Sequence, residues 1–333
     1  MAINRRIQLT GRSTYTISLP REWIDRLNIQ QGDELSILEQ SDGTLLISKG
    51  NLSGTREKEI TIDIDKIEDI SLLEKLIISK YLAGYSKVIV SSKKEISLKI
   101  RKAVTTTVEN LIGSEIISEG FNEIEIRDLA VHGEFPIDKA LRRAHLIARG
   151  MQTMALEALI NSDIESAKDI SGRECSVDRL YFLIRREIIS ALENPTFLKE
   201  LNIKPQDVLY IYPVAKSLEK IADHCESIAT SCIELNGKKI DEEIAKYLQS
   251  YSNEAIEIHT QAIQSFLSKK VDLAFKAIKI FQDLNEKLKS KKLSRKRSPD
   301  FDTEIHIQLV ERNLDRICGY GLDIAEMAID RIH

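Results

Sequence analysis

Two carboxylates stand one helical turn apart in Leu218-Glu219-Lys220-Ile221-Ala222-Asp223-His224. Residues i and i+4 are neighbours on a helix, so Glu219 and Asp223 repel by a few tenths of a kcal/mol in isolation. A bound cation turns that cost into ligation, because carboxylates suit hard and borderline cations. A solvated acidic face is the plainer alternative for an arbitrary E-x-x-x-D. At about 100° per residue, Leu218, Ile221, Ala222, Cys225, Ile228 and Ala229 form an apolar stripe, and the two acids fall beyond its edge. At the other end of the chain, Arg5, Arg6, Arg12 and Arg21 all precede the first acidic residue, Glu22. Positive charge of this kind on a strand-rich surface suits phosphate, with hydroxyls at Thr10, Ser13, Thr14 and Thr16 as further donors. Arginines on a solvated sheet edge also serve to discourage aggregation.

Other reactive residues make weaker patterns. His224 follows Asp223 and reads either as an aid to a metal or as a helix-surface histidine. His132, His145, His259 and His306 have no ligand spacing. Cys225 and Cys232 are two turns apart on the apolar stripe and read as packing. The run Lys287–Arg297 holds seven cations and suits a solvated loop between helices, or contact with an acidic partner, DNA or lipid headgroups. No P-loop follows Gly11-Arg12, and no Ser–His or Cys–His signature is present. The expectation is a protein without enzymatic activity.

Composition narrows the class. The 333 residues carry 48 Lys and Arg against 52 Asp and Glu, so any nucleic-acid surface must be local. Charged residues make up 30% and aromatics 5%, which favours helix surfaces over a β-sandwich. The longest stretch without a charge, Ile258–Ser268, spans 11 residues, far short of the ~20 that a membrane helix needs. No C-x-x-C pair occurs among four cysteines, and no signal peptide opens the chain. A cytoplasmic location is expected.

The elements that must position these residues fall into three regions. Over residues 1–50 the reading is short strands, with Tyr15, Ile17 and Leu19 alternating with Thr14, Thr16 and Ser18, a short helix after Pro20, and a hairpin at Asp42-Gly43. Fifty such residues bury too little to stand alone, so dimerisation is expected. Residues 55–133 read as βαβαββ, a small α/β unit without a chemical motif. Residues 136–333 read as six helices, about 137–161, 163–193, 205–235, 240–268, 271–291 and 302–332, with Pro213 inside the third. Ser217–Asp223 matches Asn313–Gly319, which suggests repeated three-helix units at about 136–236 and 238–333. The fold class expected is multidomain α+β.

Two resemblances rest on these segments. Arg5–Ser13, Ile17–Trp23, Gly32–Leu35 and Asp42–Ile47 resemble an AbrB/SpoVT-type domain. That resemblance implies a swapped-hairpin homodimer gripping DNA, with basic contacts at Arg5 and Arg12, Arg6, Arg21 and Arg26 beside them, and Ser13 and Thr14 adding hydroxyls. Some members of this fold are antitoxins that hold a partner protein. Leu209–His224 and Ser176–Arg186 resemble PhoU, the phosphate-signalling regulator. That resemblance implies two three-helix bundles, each with an E/D-x-x-x-D motif able to hold iron or zinc. Glu219 and Asp223 take those places in the first bundle, with Asp178 or Glu174 available to complete the site. Asp315 is kept in the second, where Gly319 replaces the other acid.

Together the resemblances imply a DNA-binding regulator of phosphate uptake with a metal-binding sensory part. The alternative is an adaptor that docks on phosphate-transporter cytoplasmic subunits or a sensor kinase and uses residues 1–50 only to dimerise.

Overall fold

The computed structural model describes residues 3–39, 43–50, 58–67, 69–130, 135–194, 197–198, 201, 203–290 and 292–332. Asp42, His132, Lys291 and the linker after Gly50 lie outside them. The protein is mixed α+β and divides into two compact units, Met1–Arg56 and Glu57–His333.

In the first unit, β1 (Gln8–Thr10) and β2 (Thr14–Thr16) pair antiparallel, with Leu9 opposite Tyr15. Gly11, at φ 71°, takes the left-handed conformation that closes their turn. The ladder stops at Thr16, so the alternation read through Leu19 is only partly strand. Pro20 opens α1 (Arg21–Arg26), its carbonyl accepting from Trp23 and Ile24. After the helix, the Asp33 carboxylate accepts from the Gln30 backbone at 2.9 Å and pairs with Lys49 at 3.0 Å. Those bonds seat β3 (Leu35–Glu39) against β4 (Leu45–Lys49). No described residue from 3 to 50 is buried within one chain, and Ile7, Leu9, Tyr15, Ile17, Ile37 and Leu45 are all more than half exposed.

The second unit begins with a four-stranded sheet in the order β5-β6-β8-β7. Strand β5 (Glu59–Asp63) runs parallel to β6 (Lys87–Ser91), with α2 (Ile70–Leu82) as the crossover. Asp69 caps α2 by accepting from the Ser71 backbone at 2.9 Å. Helix α3 (Leu98–Glu109) follows, capped by Ser97, and β7 (Ser114–Glu119) and β8 (Glu123–Asp128) close the sheet as an antiparallel pair. Ile77, Val90, Val104 and Ile124 form its core.

Six long helices complete the unit: α4 (Ile137–Asn161), α5 (Ile164–Glu193), α6 (Val208–Glu234), α7 (Glu242–Ser268), α8 (Val271–Lys289) and α9 (Phe301–Ile332). Ser162 and Lys269 end α4 and α7 in left-handed conformations, and Asp163 and Asp241 cap the helices that follow them in space or sequence, α5 and α7. Helices α4, α5 and α6 pack on one another, as do α7, α8 and α9, and the sets meet through α6 on α9 and α4 on α7. One core of small and branched side chains runs through both sets, from Leu141 and Ala148 to Ile317 and Ala325. Gly321 lets α9 approach α7: a Cβ there would stand 2.8 Å from Ile258 Cγ2.

The sheet is tied to the helices by a buried charge. Arg186 of α5, 1% exposed, donates to the Tyr81 carbonyl, to the Tyr85 carbonyl at 3.2 Å and to the Asp128 carboxylate. Its guanidinium also lies over the Tyr81 ring, 4.5 Å from the centroid, and Lys58 pairs with Glu193 at 2.5 Å nearby. The middle region is thus docked on the helical region rather than strung from it.

Candidate functional site

Helices α5 and α6 set their acids side by side. Val177, Leu180 and Ile184 face Leu218, Ile221 and Cys225 in the shared core. Glu174 and Asp178 flank Val177 one turn apart on α5, and Asp223 flanks Ala222 on α6. One ligand oxygen from each of Glu174, Asp178 and Asp223 lies within 4.8 Å of the others, and all three residues are half-buried. Burial, then repulsion from Asp178, Glu226 and Asp223, pushes the Glu174 carboxyl up to about 8. Burial and the charges of Glu219 and Asp223 push Asp178 up to about 6. Crowded carboxyls that hold protons near neutrality are what a cation would relieve.

Glu219 lies beside this trio, close enough for its charge to raise Asp178, but contributes no oxygen to the set of three. It is buried, 8% exposed, although its helical angle places it beyond the apolar stripe. Lys216 donates to its Oε1 at 2.7 Å, and Lys220 lies 3.4 Å from its Oε2 as an ion pair without hydrogen-bond geometry. Lys220 also donates to Asp223 at 2.5 Å, so a cation at the trio would compete with that ammonium for Asp223. In the other helix set, Asp315 is exposed on α9 and Gly319, one turn on, offers no side chain.

The donors of the trio are all carboxylate oxygens, the donor type that suits a hard cation. His224 is turned elsewhere. Its Nδ1 is 2.8 Å from Asn313 Oδ1 and its ring stacks on Tyr320, so it is neither a member of the trio nor a free surface residue. Cys225 and Cys232 are buried, as the stripe required, and Cys175 is exposed and unpaired.

In the first unit, Arg5, Arg6, Arg12, Ser13, Thr14 and Arg21 are all exposed. Arg12 and Ser13 sit in the β1–β2 turn, and Arg21 is the first residue of α1, in a loose pair with Asp25 at 3.7 Å. Thr10 and Thr16 bond to each other across the strands at 3.1 Å, which occupies two of the four hydroxyls that could reach phosphate.

The basic run Lys287–Arg297 is less open than a solvated loop. Arg295 is 7% exposed in its side chain and clamped by Glu304 at 2.8 Å and Glu311 at 2.9 Å, while Lys287 pairs with Glu254 at 2.6 Å. Sequence spacing also misses a buried chain of polar groups between α4 and α7. His145 Nε2 is 3.0 Å from His259 Nδ1, His259 Nε2 is 3.0 Å from Gln152 Oε1, and Gln152 Nε2 donates to Ser252. The available signal was that His145 and Gln152 fall at i and i+7 on a stripe otherwise made of Leu141, Ala148 and Ala155.

Domain models match two separate stretches of the chain. A PhoU domain model matches residues 141–232, which contain Glu174, Asp178 and Asp223. A model for MazE, a bacterial antitoxin of antidote–toxin recognition, matches residues 8–53. The phosphate-specific transport system accessory protein PhoU homolog 1 of Thermotoga maritima is 25% identical over 182 residues, 53% of this chain and 76% of that protein. Among solved structures, PhoU from Pseudomonas aeruginosa aligns with a TM-score of 0.46 at 16% identity, over 58% of this chain and 93% of that one. The phosphate transport system regulatory protein PhoU from Streptococcus pneumoniae aligns with 0.44 at 15%, over 58% and 91%. The chain joins an N-terminal MazE/AbrB-type antitoxin domain to a C-terminal PhoU domain.

Proposed function

We propose that this chain is a homodimeric, cytoplasmic, DNA-binding regulator of phosphate transport and homeostasis. The observation that carries the reading is the union in one chain of a MazE/AbrB-type domain with a PhoU domain. The Thermotoga relative is named for phosphate-specific transport, which supports the same physiological setting here. Arg5, Arg6, Arg12 and Arg21 would neutralise DNA phosphates, with Ser13 and Thr14 adding hydrogen bonds; two chains double the charge. The apolar side chains left open on one chain, Ile7, Leu9, Tyr15, Ile17, Ile37 and Leu45, support a dimer of swapped hairpins, in which a second copy would give them a core.

The PhoU domain would be the sensory part. Glu174, Asp178 and Asp223 would hold a cation there, iron or zinc, and Glu219 would set the local charge through Lys216 and Lys220 rather than ligate. The residues expected to carry the second motif, Asp315 and Gly319, supply one carboxylate and would bind weakly or not at all.

Mapping bound DNA across the genome at high and low phosphate tests the reading. Sites beside phosphate-transport genes are expected. A chain that binds no DNA at ~150 mM salt, a near-physiological ionic strength, would instead be the adaptor, and its partners would be transporter cytoplasmic subunits or a sensor kinase.

A further inference from the structure

A groove of about 360 Å3 runs between α6 and α9, and none of Glu174, Asp178 and Asp223 lines it. Its α6 wall is the stripe from His224 through Ser227 to Glu234, and its α9 wall carries Arg312, Asn313 and Arg316. The helices run antiparallel, since His224 meets Asn313 and Tyr320 while Glu234 lies 3.6 Å from His306. The groove's acid is therefore at one end and its arginines are toward the other.

The arginine end is built like an oxyanion cradle. Arg312 and Arg316 are exposed, one turn apart, and like charges at that spacing repel. Arg312 has no ion pair or hydrogen bond among the described residues. Arg316 donates to the Tyr320 hydroxyl at 2.9 Å and its guanidinium lies 5.0 Å from that ring's centroid, which orients it without neutralising it. Asp315 and Asp323 act on it only as secondary charges, after Tyr320. Asn313 Oδ1 faces the ring of His224, so the Asn313 amide N–H groups are the part left for a ligand. Two guanidiniums and an amide donor lining one polar groove match tetrahedral oxygen anions, which arginine binds through paired N–H bonds.

We infer that the α6–α9 groove binds a phosphoryl oxyanion, held by Arg312 and Arg316 with Asn313 as neutral donor. The site is separate from the carboxylate trio and from the arginines of the first unit, and stands whether or not those bind metal and DNA.

Equilibrium dialysis of the full chain, treated with chelator, against inorganic phosphate and separately against ATP tests this. Saturable binding of one of them is expected, and whichever binds more tightly identifies a free or a nucleotide-borne phosphate as the source. Arg312→Gln with Arg316→Gln should weaken it by about tenfold or more, since each lost contact is charge-assisted. Both side chains are exposed, so circular dichroism and the melting curve should not move. Arg5→Ala with Arg12→Ala, and Asp223→Asn, should leave binding unchanged. Absence of saturable binding of either anion by the unaltered chain overturns the inference, as does equal binding by the Arg312→Gln/Arg316→Gln variant.

Discussion

The buried histidine pair makes stability depend on pH in a calculable direction. The Gln152 amide donates to the Ser252 carbonyl at 3.2 Å, so its oxygen faces His259 and must accept from His259 Nε2. His259 Nδ1 is then bare and accepts from His145 Nε2. This one directional chain satisfies every member with both rings neutral. Burial, then the charges of Arg149 and Arg142, lowers His145 to about 4. Burial also lowers His259, which is fully enclosed and faces His145 and Arg149. An unfolded chain binds protons at both rings near pH 6.5, whereas the folded one does not, so stability must fall as pH falls through that value. From the His145 value alone the loss between about pH 7.5 and about pH 5 is ~2 kcal/mol, and it tends toward about 3 kcal/mol below the folded value. His259 adds to it in the same direction. The carboxylate trio opposes it: Glu174 and Asp178 are raised to about 8 and about 6, so their contribution favours the folded chain as pH falls through those values and is lost as pH rises through them. The informative quantity is therefore the difference between the unaltered chain and His145→Asn with His259→Gln, amides that stay neutral throughout. Urea unfolding followed by far-ultraviolet circular dichroism across that pH range should show the unaltered chain losing at least ~2 kcal/mol more than the variant. Parallel pH profiles, offset only by the cost of the substitution, would refute the reasoning.

Four further outcomes follow from the same geometry. Arg5→Ala with Arg12→Ala should abolish DNA binding at ~150 mM salt, and the unaltered dimer, with about four phosphate contacts from these residues, should show a log–log salt slope near −3 to −4 in fluorescence anisotropy. Iron should raise the melting temperature of the unaltered chain, because a ligand bound only by the folded state stabilises it. Glu174→Gln, Asp178→Asn or Asp223→Asn should reduce that gain, while Glu219→Gln and Asp315→Asn should preserve it; loss of the gain in Glu219→Gln would restore that residue as a ligand. Arg186→Leu should cost about 3–5 kcal/mol by removing the buried guanidinium that pairs with Asp128, visible as faster amide exchange in the middle sheet. Gly321→Ala should cost about 1–3 kcal/mol by overpacking α9 against Ile258 and the His259 backbone, read from the urea midpoint.

Local order was written into the sequence. Pro20, Asp69, Pro136, Asp163 and Pro205 mark helix starts, and the six long helices fall close to where apolar spacing put them. The buried run Leu218, Ile221, Ala222, Cys225, Ile228 and Ala229 follows directly from the 3.6-residue period, because one face of a helix must be covered whatever covers it. The exposed arginines ahead of Glu22 were legible for a similar reason: charge along a short segment needs no fold to be counted. What tertiary structure decided was which distant residues meet. Asp223 finds Glu174 and Asp178 on α5, while Glu219, its neighbour in sequence, is buried against Lys216 and Lys220. His145 meets His259 across 114 residues, and Arg186 reaches back to Asp128 to seat the sheet. Spacing along one helix sets only which residues share a face; the rotation and offset of each helix against its neighbours are set by the packing of the whole core, and those decide whether an acid ends beside other acids, beside lysines or in water.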